Sequence, residues 1–204
     1  MFDLVLATRN QGKKRELMSL LADLPFKILS LDDFPEAPEV VEDGPTFRAN
    51  AVKKAVEIAQ CTGRLVMADD SGIEVDALGG QPGVRSARFA SENATDRQNN
   101  KKLLEQMRLI PDERRGASYR CAIAIAGPEG LVDVVEGSCE GRIGWEEKGF
   151  NGFGYDPLFV RLDYNKTFAE LDPSIKNRIS HRARALERAK LILEKIISSR
   201  SERS

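Results

Sequence analysis

The chain has 204 residues, 41% of them hydrophobic and 31% charged, a balance that supports a buried core without disulfides. Its formal net charge of -1 gives no general basic field, which excludes non-specific binding to a nucleic-acid polymer and leaves local cation clusters for a small phosphorylated ligand. Cys61, Cys121 and Cys139 show no zinc spacing and fit reduced thiols in a cytoplasm, and no apolar run is long enough to span a membrane.

The N-terminus lacks a basic n-region, so Phe2 to Ala7 is predicted as a buried first strand instead of a signal peptide. Thr8-Arg9-Asn10-Gln11-Gly12-Lys13 follows, with Asn10 as a helix N-cap. Leu17, Leu20, Leu21 and Leu24 then recur at helical spacing. A strand, a glycine-bearing polar loop, a helix start and a lysine in the first turn make a geometry that suits phosphate, although the Walker spacing is absent. Phe26 to Leu31 reads as a second strand. Pro45 is placed in the first turn of a helix from about Thr46 to Cys61, whose apolar stripe is Phe47, Ala51, Ala55 and Ile58. Asn50 and Lys54 share another face, and Lys53 and Glu57 read as a solvated pair. Glu42, ahead of this helix, reads as a surface acid or as a carboxylate for a metal.

Leu65 to Ala68 is a short buried strand, and Asp69-Asp70-Ser71-Gly72 follows it. Taken alone, the four residues read as a strand-ending turn, because Asp, Ser and Gly are common turn formers. The functional alternative starts from the alternation of strand side chains, which sends Asp69 and Asp70 to opposite faces. One can brace the fold while the other holds Mg²⁺ or activates water at the strand end, where open α/β sheets bind ligands. Ile73 to Asp76 alternates like a further short strand, and Gly79 to Gly83 is a loop. Thr95-Asp96-Arg97-Gln98 is a capping box opening a helix to about Leu109, with Leu103, Leu104 and Met107 inward. Arg114-Arg115 reads as a solvated charge run. Tyr119 to Ala126 and Leu131 to Ile143 form a hairpin about Gly127-Pro128-Glu129-Gly130, which makes the sheet mixed.

Gly149 to Pro157 is rich in glycine and carries Phe150 and Phe153, which suits either a flat ring to stack on or an anchored surface loop. Leu158 to Val160 is a short strand. Asp172-Pro173 opens a short helix, and Ile179 to Arg182 leads into a last one with Leu186, Ala189, Leu193 and Ile196 on its apolar face. His181, the sole histidine, is expected at the surface. Residues 198–204 are expected to fray.

In order, Thr8-x-Asn10-x-x-Lys13, Glu42 ahead of Thr46-Phe47, Asn50-Ala51-x-x-Lys54-Ala55, Ala68-Asp69-Asp70-Ser71-Gly72, Gly79-Gly80-x-Pro82-Gly83-x-x-Ser86-Ala87-Arg88, Gly152-Phe153-Gly154-Tyr155-Asp156-Pro157, Lys176 and Ser180-His181-Arg182 resemble the inosine triphosphate pyrophosphatase family. Each motif is weak, and the ordered set from Thr8 to Arg182 is specific. Ala49 stands where many relatives carry an acid, Arg9 where a small residue is common, and Asn151 replaces a frequent glycine, with a side chain that tolerates left-handed backbone.

The resemblance implies one elongated α/β domain over the whole chain: a mixed β-sheet flanked by helices, in two lobes with a central cleft. It implies a cytoplasmic, Mg²⁺-dependent homodimer that cuts ITP, dITP and XTP to the monophosphate and pyrophosphate, with neither nucleic acid nor membrane as partner. Carried over residue by residue, it gives Asp70 as general base or water-orienting group and Glu42 with Asp70 as Mg²⁺ ligands. Thr8, Asn10, Gln11, Gly12, Lys13 and Lys54 face the phosphates, with Arg9, a departure from the pattern, adding a cation beside them; Ser71 touches substrate, and Asp69 is a structural partner. Phe153, Gly154, Tyr155, Asp156, Lys176, His181 and Arg182 surround the base and sugar. A pyrophosphatase for other modified nucleotides and a non-catalytic nucleotide-binding protein are the alternatives.

Overall fold

The computed structural model describes residues 2–201. Its first strand, β1 (Phe2–Leu6), pairs in parallel with β2 (Phe26–Ser30) and with β3 (Leu65–Val75). Parallel neighbours need crossovers, and two helices supply them. They are α1 (Gln11–Leu20) between β1 and β2, and α2 (Phe47–Thr62) between β2 and β3. The hairpin is present as β4 (Gly116–Gly127) and β5 (Gly130–Ile143), joined by Pro128-Glu129. Two short strands, β6 (Phe159–Arg161) and β7 (Lys166–Thr167), add antiparallel pairings beyond β5. The result is one open seven-stranded mixed sheet in the order β2-β1-β3-β4-β5-β6-β7, flanked by helices. The helices α3 (Asp96–Met107), α4 (Pro173–Ile179) and α5 (His181–Ser201) complete the fold.

The chain divides into two compact units. Unit 1 holds the described residues up to Asp70, Cys121–Gly137 and the described residues from Arg182 onward. Unit 2 holds Ser71–Arg120 and Ser138–His181. Strand alternation gives unit 1 two cores. Leu4, Leu6, Leu65, Met67, Ile123 and Ile125 pack with Leu17 and Leu21 and with Leu186, Ala189 and Leu193 of α5. Val5, Ala7, Val66, Ala68, Ala122 and Ala124 pack with Ala51, Ala55 and Ile58 of α2. Unit 2 has its own core, with Ile73, Val75, Leu103, Met107, Tyr119, Phe159 and Phe168. All three cysteines are free, and burial pushes the Cys121 thiol up to about 12, so it serves as a small apolar filler.

Several local expectations change. The Asp-Asp-Ser-Gly stretch is not a turn, because β3 runs without a break from Leu65 to Val75. Gly72 is required there by a close approach: a Cβ would stand 2.3 Å from Ser86 Oγ, the hydroxyl that accepts from Ile73 N–H. Pro45 precedes the α2 N-cap, which is Thr46. Lys53 pairs with Asp43 at 2.7 Å instead of Glu57. The last helix continues through Ser201, so the fraying expected from Ser198 does not occur there, and residues 202–204 lie outside the described ones. Arg115 is 0% exposed, not solvated. Its guanidinium donates to the carbonyls of Ile143, Met107, Ile110 and Gly144, and Trp145 lies over it at 4.0 Å. Four carbonyl partners and an aromatic face replace the water that a surface arginine would keep.

Candidate active site

The β1–α1 loop of unit 1 folds by local side-chain bonds. Thr8 Oγ1 accepts from Asn10 N–H at 3.2 Å, and Asn10 Oδ1 accepts from Lys13 N–H at 3.0 Å, as the N-cap expectation required. Gln11 and Gly12 form the first turn of α1, at the positive end of its dipole. Arg9 ties the loop to the following connection through Ala37 O at 3.2 Å. Lys13 projects to Asp69, 3.2 Å away.

Asp69 and Asp70 do face opposite sides of β3. Asp69 continues the Leu65–Met67 face and sits between Lys13 and Arg182, whose Nε is 3.3 Å from Asp69 Oδ2. Arg182 Nη1 also holds Glu16. Burial alone would push the Asp69 carboxyl up, but Lys13 and Arg182 outweigh it and hold Asp69 well below the usual carboxylate range. Against their own burial, Asp69 raises Lys13, and Glu16 followed by Asp69 raises Arg182. Asp70 continues the Val66–Ala68 face and accepts from Asn50 Nδ2 at 3.0 Å. Burial pushes its pKa up, Glu42 adds to the rise, and Lys13 and Lys54 only partly offset it. The two adjacent carboxyls therefore shift in opposite directions, a pattern found where neighbouring acids have different roles.

Helix α2 fastens the segment that carries Glu42. Lys54 pairs with Glu42, Lys53 with Asp43, and Asn50 with Gly44 N–H at 2.7 Å. Among the described residues no group of three or more His, Cys, Asp or Glu could hold a metal. Glu42 and Asp70 offer hard carboxylate oxygens, the donor type suited to an ion that uses few protein ligands and keeps phosphate oxygens and water, as Mg²⁺ does.

In unit 2, Asp156 organises the glycine-rich loop. Its Oδ2 accepts from Phe153 N–H at 2.9 Å and pairs with Lys176, and Tyr119 donates to its Oδ1 at 3.3 Å. Gly152 has a φ of 78°, and a Cβ there would stand 2.0 Å from Asp156 Oδ2, so position 152 is closed to side chains on both counts. Lys176 Nζ lies 4.8 Å from the Phe153 ring centroid. Gly154 is clamped by α3: its N–H donates to Asp96 Oδ2 at 2.7 Å, and its carbonyl accepts from Asn100 Nδ2 at 3.1 Å. Tyr155 is buried and donates to Ser86 O at 2.8 Å. Asn151 keeps ordinary backbone, since Asn165 is the sole non-glycine residue of positive φ among those described; its side chain donates to Leu171 O instead. His181 is 3% exposed, not a surface residue, and stacks on Tyr119 at 4.5 Å. Ser71 is half-buried on β3.

The predicted residues thus fall into two sets. Lys13, Glu42, Lys54, Asp70 and the Thr8–Gly12 loop belong to unit 1, and Phe153, Gly154, Asp156, Lys176 and His181 to unit 2. Arg182 belongs with the first set, its guanidinium buried with Nε on Asp69 and Nη1 on Glu16. Glu16, Asn50, Asp96, Asn100 and Tyr119 were missed as participants. For Asn50 the sequence signals are its i, i+4 relation to Lys54 and its place in the Asn50-Ala51-x-x-Lys54-Ala55 motif.

A family model for the Ham1 family matches residues 4–191. The chain belongs to the Ham1 family. Among Ham1 relatives, the dITP/XTP pyrophosphatase of Desulforamulus reducens is 54% identical over 193 residues, spanning 95% of this chain and 96% of that protein. A solved HAM1 protein from Coxiella burnetii superposes with a TM-score of 0.86 at 41% identity, over 96% of this chain and 100% of that one. A nucleoside-triphosphatase / dITP/XTP pyrophosphatase structure from Mycobacterium abscessus gives 0.75 at 45% identity, covering 92% and 98%. The mixed sheet of this chain is the Ham1 sheet.

Proposed function

We propose that this Ham1 chain hydrolyses deaminated purine nucleoside triphosphates, ITP, dITP and XTP, to the monophosphate and pyrophosphate. The observation that carries the reading is the split between Asp69 and Asp70, with Lys13 and Lys54 beside them. The name of the 54% identical relative supports it. One pyrophosphatase domain comprises both units in this reading, and the active species is a cytoplasmic homodimer. Among the described residues no helix is long and apolar enough to cross a membrane.

In the reaction a water oxygen bonds to the α-phosphorus, the bond from that phosphorus to the bridging oxygen of the β-phosphate breaks, and pyrophosphate leaves. Asp70 accepts the water's proton or orients its lone pair. Lys13, Lys54, Arg9 and the Thr8–Gly12 loop hold phosphate oxygens through cationic donors and a helix start. Mg²⁺, when held by Glu42 and Asp70, would offset the charge on the phosphate oxygens. Ser71 adds a substrate contact.

Phe153 offers a face for the purine, and Gly154, Tyr155, Asp156 and His181 shape its surroundings. Lys176 carries only donors, one of them engaged by Asp156, and lies near that face, so a remaining donor suits the 6-oxo group of hypoxanthine and xanthine and opposes the 6-amino group of adenine. Arg182, expected from the sequence at the base, is assigned instead to holding Asp69 with Lys13, because its Nε faces Asp69 and its Nη1 holds Glu16.

A substrate panel tests the reading. ITP and XTP should exceed ATP and GTP in kcat/KM by about a hundredfold or more, because a buried donor left unmatched discriminates strongly. Comparable values for ATP and ITP would overturn it. Removal of divalent ions tests the metal: excess chelator should abolish pyrophosphate release, and added Mg²⁺ should restore it better than Zn²⁺, since the ligands are hard oxygens. Full activity in chelator would remove Glu42 and Asp70 as metal ligands.

A further inference from the structure

Asn50 is 1% exposed, on a helix whose packing is done by Ala51, Ala55 and Ile58. Both ends of its amide are engaged. Gly44 N–H can only donate, so the atom facing it at 2.7 Å must be Oδ1, and this leaves Nδ2 facing Asp70 Oδ2 at 3.0 Å. The amide is flat and rigid, so one group links the place of Gly44 to that of Asp70 Oδ2. Gly44 stands two residues after Glu42, and the fit around it is tight: a Cβ there would lie 2.6 Å from Asn50 Oδ1. One helical turn on, Lys54 holds Glu42 itself.

We infer that Asn50 is a positioning residue, holding the Asp70 carboxylate and the Glu42-bearing segment at one fixed spacing. The inference deepens the proposed function and rests on it for the roles of Glu42 and Asp70. A carboxylate's χ2 is a broad torsion, which a directional donor narrows. With Nδ2 bound to one oxygen, the other oxygen is aimed. Because the same amide holds Gly44, the aim is referred to the segment that brings the second carboxylate. Supporting groups of this kind change metal affinity or activity by about 10–100-fold when removed.

The test uses Asn50→Leu, which keeps bulk and loses both bonds, and Gly44→Ala, a milder change in a half-buried loop that displaces Asn50 Oδ1. Mn²⁺ is titrated into the nucleotide-free protein and followed by electron paramagnetic resonance, alongside melting temperature and the kcat and KM for ITP. Asn50→Leu is expected to weaken Mn²⁺ binding and lower kcat, each by about 10–100-fold, with a smaller effect on KM. Gly44→Ala should move both in the same direction by less. A purely structural role would lower the melting temperature and leave the Mn²⁺ affinity of the folded protein unchanged. Unchanged Mn²⁺ affinity in both variants overturns the inference, as does a wild-type protein that binds no Mn²⁺ without nucleotide. Where Asn50→Leu does not fold, Gly44→Ala decides alone. Should the wild type cleave none of the triphosphates while the Mn²⁺ affinities split as expected, the proposed function fails and the role of Asn50 stands.

Discussion

Asp70→Asn is expected to lower turnover by about 10²–10⁴-fold while leaving the melting temperature at pH 7 equal to wild type or above it. The loss follows from removing the negative oxygen that would meet water and metal. The stability follows from the direction of the Asp70 shift. Burial raises this carboxyl's pKa in the folded state, so its contribution to stability is fully present below the unfolded value, about 3.9, and is lost as pH rises through the folded value. At neutral pH the ionised group is a burden on the fold, and an amide of the same shape removes it. The difference in melting temperature should close as pH falls toward 4. For the same reason wild-type activity should fall on the acid side at a higher pH than an ordinary carboxylate would give. Turnover close to wild type would take Asp70 out of the mechanism.

Asp69→Asn, one residue away, should behave in the opposite sense. It leaves Lys13 and Arg182 with a lost charge at 3.2 and 3.3 Å in a site where Asp69 itself is fully buried. Breaking a buried pair from one side typically costs about 3–5 kcal/mol, which for a protein of this size corresponds to a fall in melting temperature on the order of 10 °C. Asp69 is depressed, so its stabilisation is present above about 3.9 and is lost as pH falls through the folded value. The mutant's deficit should therefore be level between pH 5 and 8 and shrink in stronger acid. A melting temperature within a degree or two of wild type at pH 7 would falsify the structural assignment of Asp69.

The periodic parts of the fold were legible in the sequence because each rests on local rules. The α2 stripe, the α5 stripe, the Thr95–Gln98 capping box and the Asp172-Pro173 start follow from helix geometry alone. Elsewhere composition misleads, because a distant partner decides where a polar residue sits. Arg115 reads as solvated until carbonyls far along the chain surround it. His181 reads as exposed until Tyr119 lies flat against it. The Asp-Asp-Ser-Gly stretch reads as a turn because nothing local reveals Asn50, Lys13 or Ser86 as partners for an extended strand. In the site, the charged residues were visible by type. The groups that fasten the site, Asn50 on Asp70, Glu16 on Arg182 and Asp96 with Asn100 on Gly154, were not, since their work consists of contacts across 20 to more than 100 residues.

The three pairings between α2 and residues 42–44 also govern what lengths of chain the protein can accept. Each partner is matched by register: Glu42 to Lys54, Asp43 to Lys53, Gly44 to Asn50. Adding or deleting one residue between Gly44 and Thr46 would slip all three at once and move the carboxylate by a residue's rise, about 3.3 Å. Upstream, Pro38 and Glu39 are exposed and irregular. The connection can therefore grow or shrink near position 38 without disturbing Glu42, and engineered insertions or tags belong there.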